Sequence, residues 1–114
     1  MTRARQVLGA EGENLSAAWY EAQGYGVLAR NWHCREGELD LVVRRGGTIV
    51  FCEVKTRSSL AFGSPLEAVT PVKQRRIRRL AAAWLRETDT HASEVRFDVA
   101  AVLNGTVEVV QNAF

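Results

Sequence analysis

The sequence predicts an α/β layered domain, a mixed β-sheet flanked by helices in the order α-β-β-β-α-β-β. Three observations predict it. Two stretches carry apolar residues at helical spacing, β-rich runs bounded by glycine turns lie between and after them, and the second helix falls between strands.

The first helix is read over about residues 10–23, from Leu15, Ala18, Trp19 and Ala22 on one stripe, with Gly24 placed to stop it. Val27 to Trp32 read as the first strand. Leu39 to Arg44 and Thr48 to Lys55 are two further strands, joined as a hairpin through Arg45-Gly46-Gly47. Residues 56–69 read as a loop punctuated by Gly63 and Pro65. Thr70 then supplies an N-cap and Pro71 the first helical position, and Ile77, Leu80, Ala81 and Trp84 form the apolar stripe of the second helix. Val95 to Leu103 and Thr106 to Val110 flank Asn104-Gly105, the strongest hairpin signal in the chain.

A length of 114 residues suits one domain, residues 1–114, with 46% apolar and 25% charged residues as in ordinary globular proteins. No run approaches the ~18 apolar residues that span a bilayer, and the basic start leads into Gly9, Glu11 and Glu13, not a signal core, so a cytoplasmic protein without membrane contact is expected. Cys34 and Cys52 show no paired spacing and fit reduced thiols, Cys52 as a small core residue. His33 and His91 form no ligand cluster with them, which argues against zinc. A net charge of +2 is too small to name a partner; the placement of the charges matters more.

Side chains alternate along a strand. Ile49, Phe51, Glu53 and Lys55 therefore share one face, and Val50, Cys52 and Val54 the other. On the preceding strand Asp40 and Val42 share a face, with Leu39, Leu41 and Val43 opposite. The hairpin makes the two strands neighbours, so Asp40 is expected to approach Glu53 beside Lys55. Two carboxylates and an ammonium at the end of an apolar strand suit a hard cation, Mg²⁺ or Mn²⁺, with phosphate oxygens and water completing its shell. Lysine can orient the attacking water or stabilise charge on the phosphate. A Glu-x-Lys tripeptide alone reads as a surface ion pair; its apolar strand and the neighbouring Asp40 favour a site.

The second helix carries Lys73, Arg75, Arg76, Arg78, Arg79 and Arg86 with no acid before Glu87. Such a run is an ordinary solvated face or a phosphate-binding one, and a polyanion would relieve its self-repulsion. Arg57 leaves the strand on the side of Lys55 and is a second phosphate candidate, and Gln74 a weak candidate to reach the site. Asp98 with Arg96 reads as a structural ion pair or hydrogen-bond anchor, Glu38 as a turn acid, and Trp19, Trp32 and Trp84 as core residues. Glu13 lies across from the first helix's stripe, on a face with Gly9, Ser16, Ala17 and Tyr20, where a solvated acid is the plain reading.

Several motifs together resemble the YraN family of small restriction-endonuclease-like proteins: Gly12-Glu13, Gly24-Tyr25, Asn31-Trp32, Gly37-Glu38-Leu39-Asp40-Leu41-Val42 and Val50-Phe51-Cys52-Glu53-Val54-Lys55-Thr56-Arg57. Phe62-Gly63-Ser64-Pro65, Lys73, Arg96-Phe97-Asp98-Val99 and Asn112-Ala113-Phe114 extend the resemblance over nearly the whole chain. It implies a restriction-endonuclease-like core similar to archaeal Holliday-junction resolvases, with the Asp…Glu-x-Lys nuclease signature. It also implies that Glu13 joins Asp40 and Glu53 at the metal. One departure is Leu39, where the superfamily motif has proline.

The resulting expectation is a Mg²⁺- or Mn²⁺-dependent endodeoxyribonuclease acting on branched or structured DNA. Asp40, Glu53 and Lys55 are its catalytic residues, and Arg57, Lys73, Arg75, Arg76 and Arg79 its nucleic-acid contacts. Cutting both strands of a junction would call for a homodimer. Two rivals are a non-catalytic nucleic-acid-binding module of the same fold and a structural protein whose basic helix docks on an acidic partner. DNA is not distinguished from RNA by the residues.

Overall fold

The computed structural model runs α1 (Arg3–Ala22), β1 (Gly26–Cys34), β2 (Gly37–Arg45), β3 (Thr48–Arg57), a short 3-10 helix (Pro65–Ala68), α2 (Pro71–Glu87), β4 (Glu94–Leu103) and β5 (Thr106–Val110). It describes residues 3–57 and 65–114, with side chains over 9–57 and 67–114. The order is the predicted one, and the differences are at the edges. The first helix begins at Arg3, not near residue 10, and β3 continues to Arg57. Pro65–Ala68 form a turn of helix inside the expected loop, whose Gly63 lies outside the described residues.

The five strands make one sheet in sequence order, β1-β2-β3-β4-β5. Pairs β1–β2, β2–β3 and β4–β5 are antiparallel, while β3–β4 is parallel because α2 carries the chain back across the sheet. Asn104 (φ 49°) and Gly105 (φ 79°) close β4–β5 with two successive left-handed residues, as a type I′ turn requires. The β1–β2 hairpin turns at Arg35-Glu36, between the paired Cys34 and Gly37. It lacks an Asn-Gly signal, so nothing in the sequence marks it as a turn. Thr70 caps α2 as expected, its Oγ1 accepting from the Lys73 amide at 3.3 Å, with Pro71 opening the helix.

The helices cover opposite faces of the sheet. Beneath α2, Ile77, Leu80, Ala81 and Trp84 meet Val42, Ile49, Phe51, Phe97 and Val99. Phe51 lies edge-on to Trp84 and stacked on Phe97, each with ring centroids 5.8 Å apart. Such pairs contribute about 0.5–1.5 kcal/mol beyond their buried area. Beneath α1, Ala17 and Tyr20 meet Leu41, Val43, Val50, Cys52 and Ala100. Trp84 and Cys52 are core residues as read, and Trp19 and Trp32 are half-buried against the two clusters.

The stripe of α1 is corrected. Leu15, Ala18 and Ala22 are exposed, and the buried face is Gly12, Ser16, Ala17 and Tyr20, the one that also carries Glu13. Close approach to the sheet explains it. A Cβ on Gly12 would collide with Thr56 Oγ1, so the helix lies close to the sheet there and that position needs a residue without a side chain. Ser16 satisfies its buried hydroxyl by donating to the Gly12 carbonyl at 2.7 Å. Tyr20 spends its hydroxyl on Asp98 Oδ2 at 2.6 Å.

Asp98 is fully buried and fully partnered. Arg96 donates to both of its oxygens at 2.9 Å, and the Asn112 amide to Oδ1 at 2.9 Å. It is the structural anchor that its place in an apolar strand suggested. Among the described residues no helix is long and apolar enough to cross a membrane, a statement that does not bear on strands.

Candidate functional site

Hydrogen-bonded register between β2 and β3 runs from Arg45↔Thr48 to Leu41↔Cys52 and stops. One residue further on, Asp40 Oδ2 accepts from the Val54 amide at 2.9 Å, a side chain taking over where the ladder ends. On the other flank the β1–β2 ladder pairs Arg30↔Leu41 and Trp32↔Leu39 but passes over Asn31 and Asp40 between them. Asn31 sits in the left-handed region, φ 50°, inside a strand. This resets the pleat: Ala29 and Trp32, three apart, both pack beneath α2, while Arg30 and Asn31 both reach α1.

The same reset corrects the expected face of Leu39, which packs with Val42 beneath α2 and not with Leu41 and Val43. Strict alternation misplaces it because alternation assumes an unbroken pleat. Asp40 lies in that break.

Asp40, Glu53 and Lys55 come together. The Asp40 and Glu53 carboxyls are close enough that each acts on the other's proton affinity, and Lys55 Nζ lies 3.4 Å from Glu53 Oε1. Glu53 and Lys55 keep only 16% and 17% of their side-chain surface exposed, so water screens this cluster poorly. Burial, and then the charge of Asp40, push the Glu53 carboxyl up to about 7, against the opposing pull of Lys55. Burial also raises Asp40, opposed by the Val54 amide and Lys55. Two acids held this close cannot both ionise cheaply, so the pair favours an added positive charge, a proton or a metal ion.

Glu13 reaches this region from the buried face of α1. Asn31 Nδ2 donates to its Oε2 at 2.7 Å. Burial raises its carboxyl above the ordinary range, with the charge of Asp40 adding to the shift. Among the described residues, no three His, Cys, Asp or Glu side chains are gathered as a metal-holding group. The donors brought together are thus Asp40 and Glu53. Two carboxylates fit Mg²⁺ or Mn²⁺, which keep several waters and take few protein ligands.

A cleft of about 260 Å³ opens beside these groups, lined by Glu53, Lys55, Lys73, Arg76, Ile77 and Leu80 among others. Glu38 also lines it but pairs with His33 at 2.8 Å, both largely exposed, in keeping with a turn acid. Arg75 and Arg79 are exposed on α2 and do not line the cleft. Arg78 stacks over Phe97 at 4.6 Å, a packing use of its charge. Gln74 donates to the Val69 carbonyl at 3.1 Å and so ties the helix start, not the site. Arg57 is half-buried, its Nε lacking a hydrogen-bond partner among the described residues.

The sequence reading missed Asn31 as the residue that holds Glu13, and the approach of Lys73 to Lys55. An asparagine inside a β-rich run was the available signal for the first, since asparagine tolerates left-handed backbone.

Comparison with known proteins gives consistent matches. A profile of the uncharacterised protein family UPF0102 covers residues 12–102. A UPF0102 protein of Beutenbergia cavernae is 62% identical over 101 residues, 89% of this chain and 86% of the relative. One of Acidothermus cellulolyticus is 49% identical over 126 aligned positions, 97% of this chain and 96% of the relative. One of Rhodococcus opacus is 50% identical over 112, covering 94% and 95%. On these matches the chain belongs to the uncharacterised protein family UPF0102, the YraN-like family that its motifs resemble.

Proposed function

We propose that this protein is a metal-dependent nuclease with a restriction-endonuclease-like core, hydrolysing phosphodiester bonds in DNA, with branched or structured DNA as the preferred substrate. The observation that carries the reading is the meeting of Asp40, Glu53 and Lys55 at the point where β2 and β3 part, beside a cleft rimmed by Lys73 and Arg76.

In this reading Asp40 and Glu53 would hold Mg²⁺ or Mn²⁺, with Glu13, steadied by Asn31, as a third acid at the metal. The cation, when bound, supplies Lewis acidity to the phosphoryl group and lowers the pKa of water. Lys55 presents an ammonium held in place by Glu53, positioned to stabilise charge on the phosphate or to orient water. The Val54 amide fixes the Asp40 carboxylate, so one oxygen stays oriented without a metal. Arg75 and Arg79, exposed on α2, hold the backbone of the substrate, and a homodimer supplies the second centre that a double cut needs.

The test is a cleavage assay on junction, flap, single-stranded and duplex DNA with Mg²⁺ or Mn²⁺. Asp40→Asn, which keeps an acceptor for the Val54 amide, and Lys55→Ala should each lose cutting while retaining DNA binding. Cutting by both variants at the parent's rate would end the assignment. A parent that binds DNA and cuts none of the four would leave the non-catalytic module.

A further inference from the structure

Lys73 lies in the first turn of α2, where the aligned peptide dipoles present their positive end. A cation is poorly placed there, and that turn contains no acidic residue to offset it. The charge of Lys55, and then burial, lower the proton affinity of Lys73, with the charge of Glu53 opposing them. Both lysines line the same cleft as Arg76.

Two acids, Glu38 and Glu53, line the same cleft, and each has a partner of its own. Glu53 is paired with Lys55 at 3.4 Å and Glu38 with His33 at 2.8 Å. Among the described residues no ion pair closes on Lys73 or on Arg76. Three cations against two carboxylates leave this concave space with an excess of positive charge, and an anion seated among Lys55, Lys73 and Arg76 is attracted by it. A space of about 260 Å³ accommodates one phosphate with its adjoining sugar.

We infer that Lys55, Lys73 and Arg76 form a seat for one phosphodiester group of a nucleic-acid strand, adjacent to Asp40 and Glu53. The inference rests on the nuclease reading for the identity of the strand, and on the cleft alone for the anion. Lys73 is then a positioning residue. It fixes the strand against the site, while Arg75 and Arg79 supply attraction without register. Arginine at position 73 keeps the charge, and glutamine keeps the length but removes it.

The experiment measures binding of a thymidine tetranucleotide, with and without a 5′-phosphate, to the full chain in EDTA at low salt. Omitting metal keeps this readout independent of cleavage. Loss of one charge-assisted contact should weaken binding of both probes by about tenfold in Lys73→Gln. Lys73→Arg should restore it. Arg86→Gln, in the last turn of the same helix, should stay within about twofold of the parent, as general charge screening predicts.

A Lys73→Gln effect no larger than that of Arg86→Gln overturns the seat, as does a parent that binds neither probe. Binding that requires the 5′-phosphate overturns the diester assignment in favour of a terminal monoester. The two readings also fail separately. Tetranucleotide binding that meets these expectations, with no cleavage in Mn²⁺, removes the nuclease and keeps the seat. Cleavage with parent-like binding by Lys73→Gln does the reverse.

Discussion

Replacing Glu53 by glutamine should make the metal-free protein more stable, and only above a defined pH. Glutamine nearly matches glutamate in shape, so the substitution removes charge with little change in volume. The carboxyl of Glu53 is pushed from an ordinary 4.5 up to about 7 by burial and by Asp40. A raised carboxyl binds its proton more tightly folded than unfolded, so the native state loses stability as pH climbs from 4.5 towards 7 and the loss is complete above that. At about 1.4 kcal/mol per pH unit the penalty reaches about 3 kcal/mol.

Asp40 and Glu53 titrate as a pair, which makes this figure an upper bound for Glu53 alone. Urea denaturation in EDTA is the assay. Parent and Glu53→Gln should agree near pH 4, diverge through pH 5–7, and differ by up to about 3 kcal/mol at pH 8, the variant being the more stable. Added Mn²⁺ should stabilise the parent at pH 8 and do less for the variant. Equal stability at pH 8, or a gain of the same size at pH 4, would refute the argument that this carboxyl is held under electrostatic strain.

Other expectations follow from the packing. Gly12→Ala should destabilise the fold by roughly 1–3 kcal/mol, and Thr56→Ala in the same chain should recover much of it, both read by thermal melting; no recovery would mean the collision lies elsewhere. Asp98→Ala strands Arg96 in a part-buried position and should cost about 3–5 kcal/mol in urea titrations. Asn31→Gly retains left-handed backbone and Asn31→Ala does not, so the alanine variant should be the less stable by about 1–2 kcal/mol, a difference that chemical denaturation resolves. If Arg75 and Arg79 touch phosphates, replacing both with glutamine should lower the slope of log K against log salt by roughly 0.9 per lost contact, measured by fluorescence titration on duplex DNA.

Much of the architecture was legible in the residues because local signals agreed with one another. Asn104-Gly105, Gly46-Gly47 and Thr70-Pro71 each mark a turn or a cap through backbone chemistry that needs no tertiary partner, and the element order follows from them. The meeting of Asp40 with Glu53 was legible too, because a hairpin makes the two strands neighbours. What escaped depends on contacts across the molecule. The inward face of α1 is made of Gly12, Ser16, Ala17 and Tyr20, chosen for close approach to β3 and for a bond to Asp98, and a search for apolar periodicity selects the wrong side. The displaced phase of Leu39 needs the left-handed Asn31 two strands' width from Glu53, which alternation has no means to anticipate. Lys73 and Lys55 are neighbours only because α2 crosses over the end of β3.

The bond between Tyr20 and Asp98 joins positions 78 residues apart, and the Asn112 amide then closes on the same carboxylate. During synthesis at about 5–20 residues per second, the tyrosine is made some 4–16 s before its acceptor. Through that interval α1 has no completed sheet to lie on, and β4 is the strand that must arrive before it can dock. Chains truncated before residue 98 should therefore expose the helix to proteases or chaperones, whereas chains that extend past residue 112 should not.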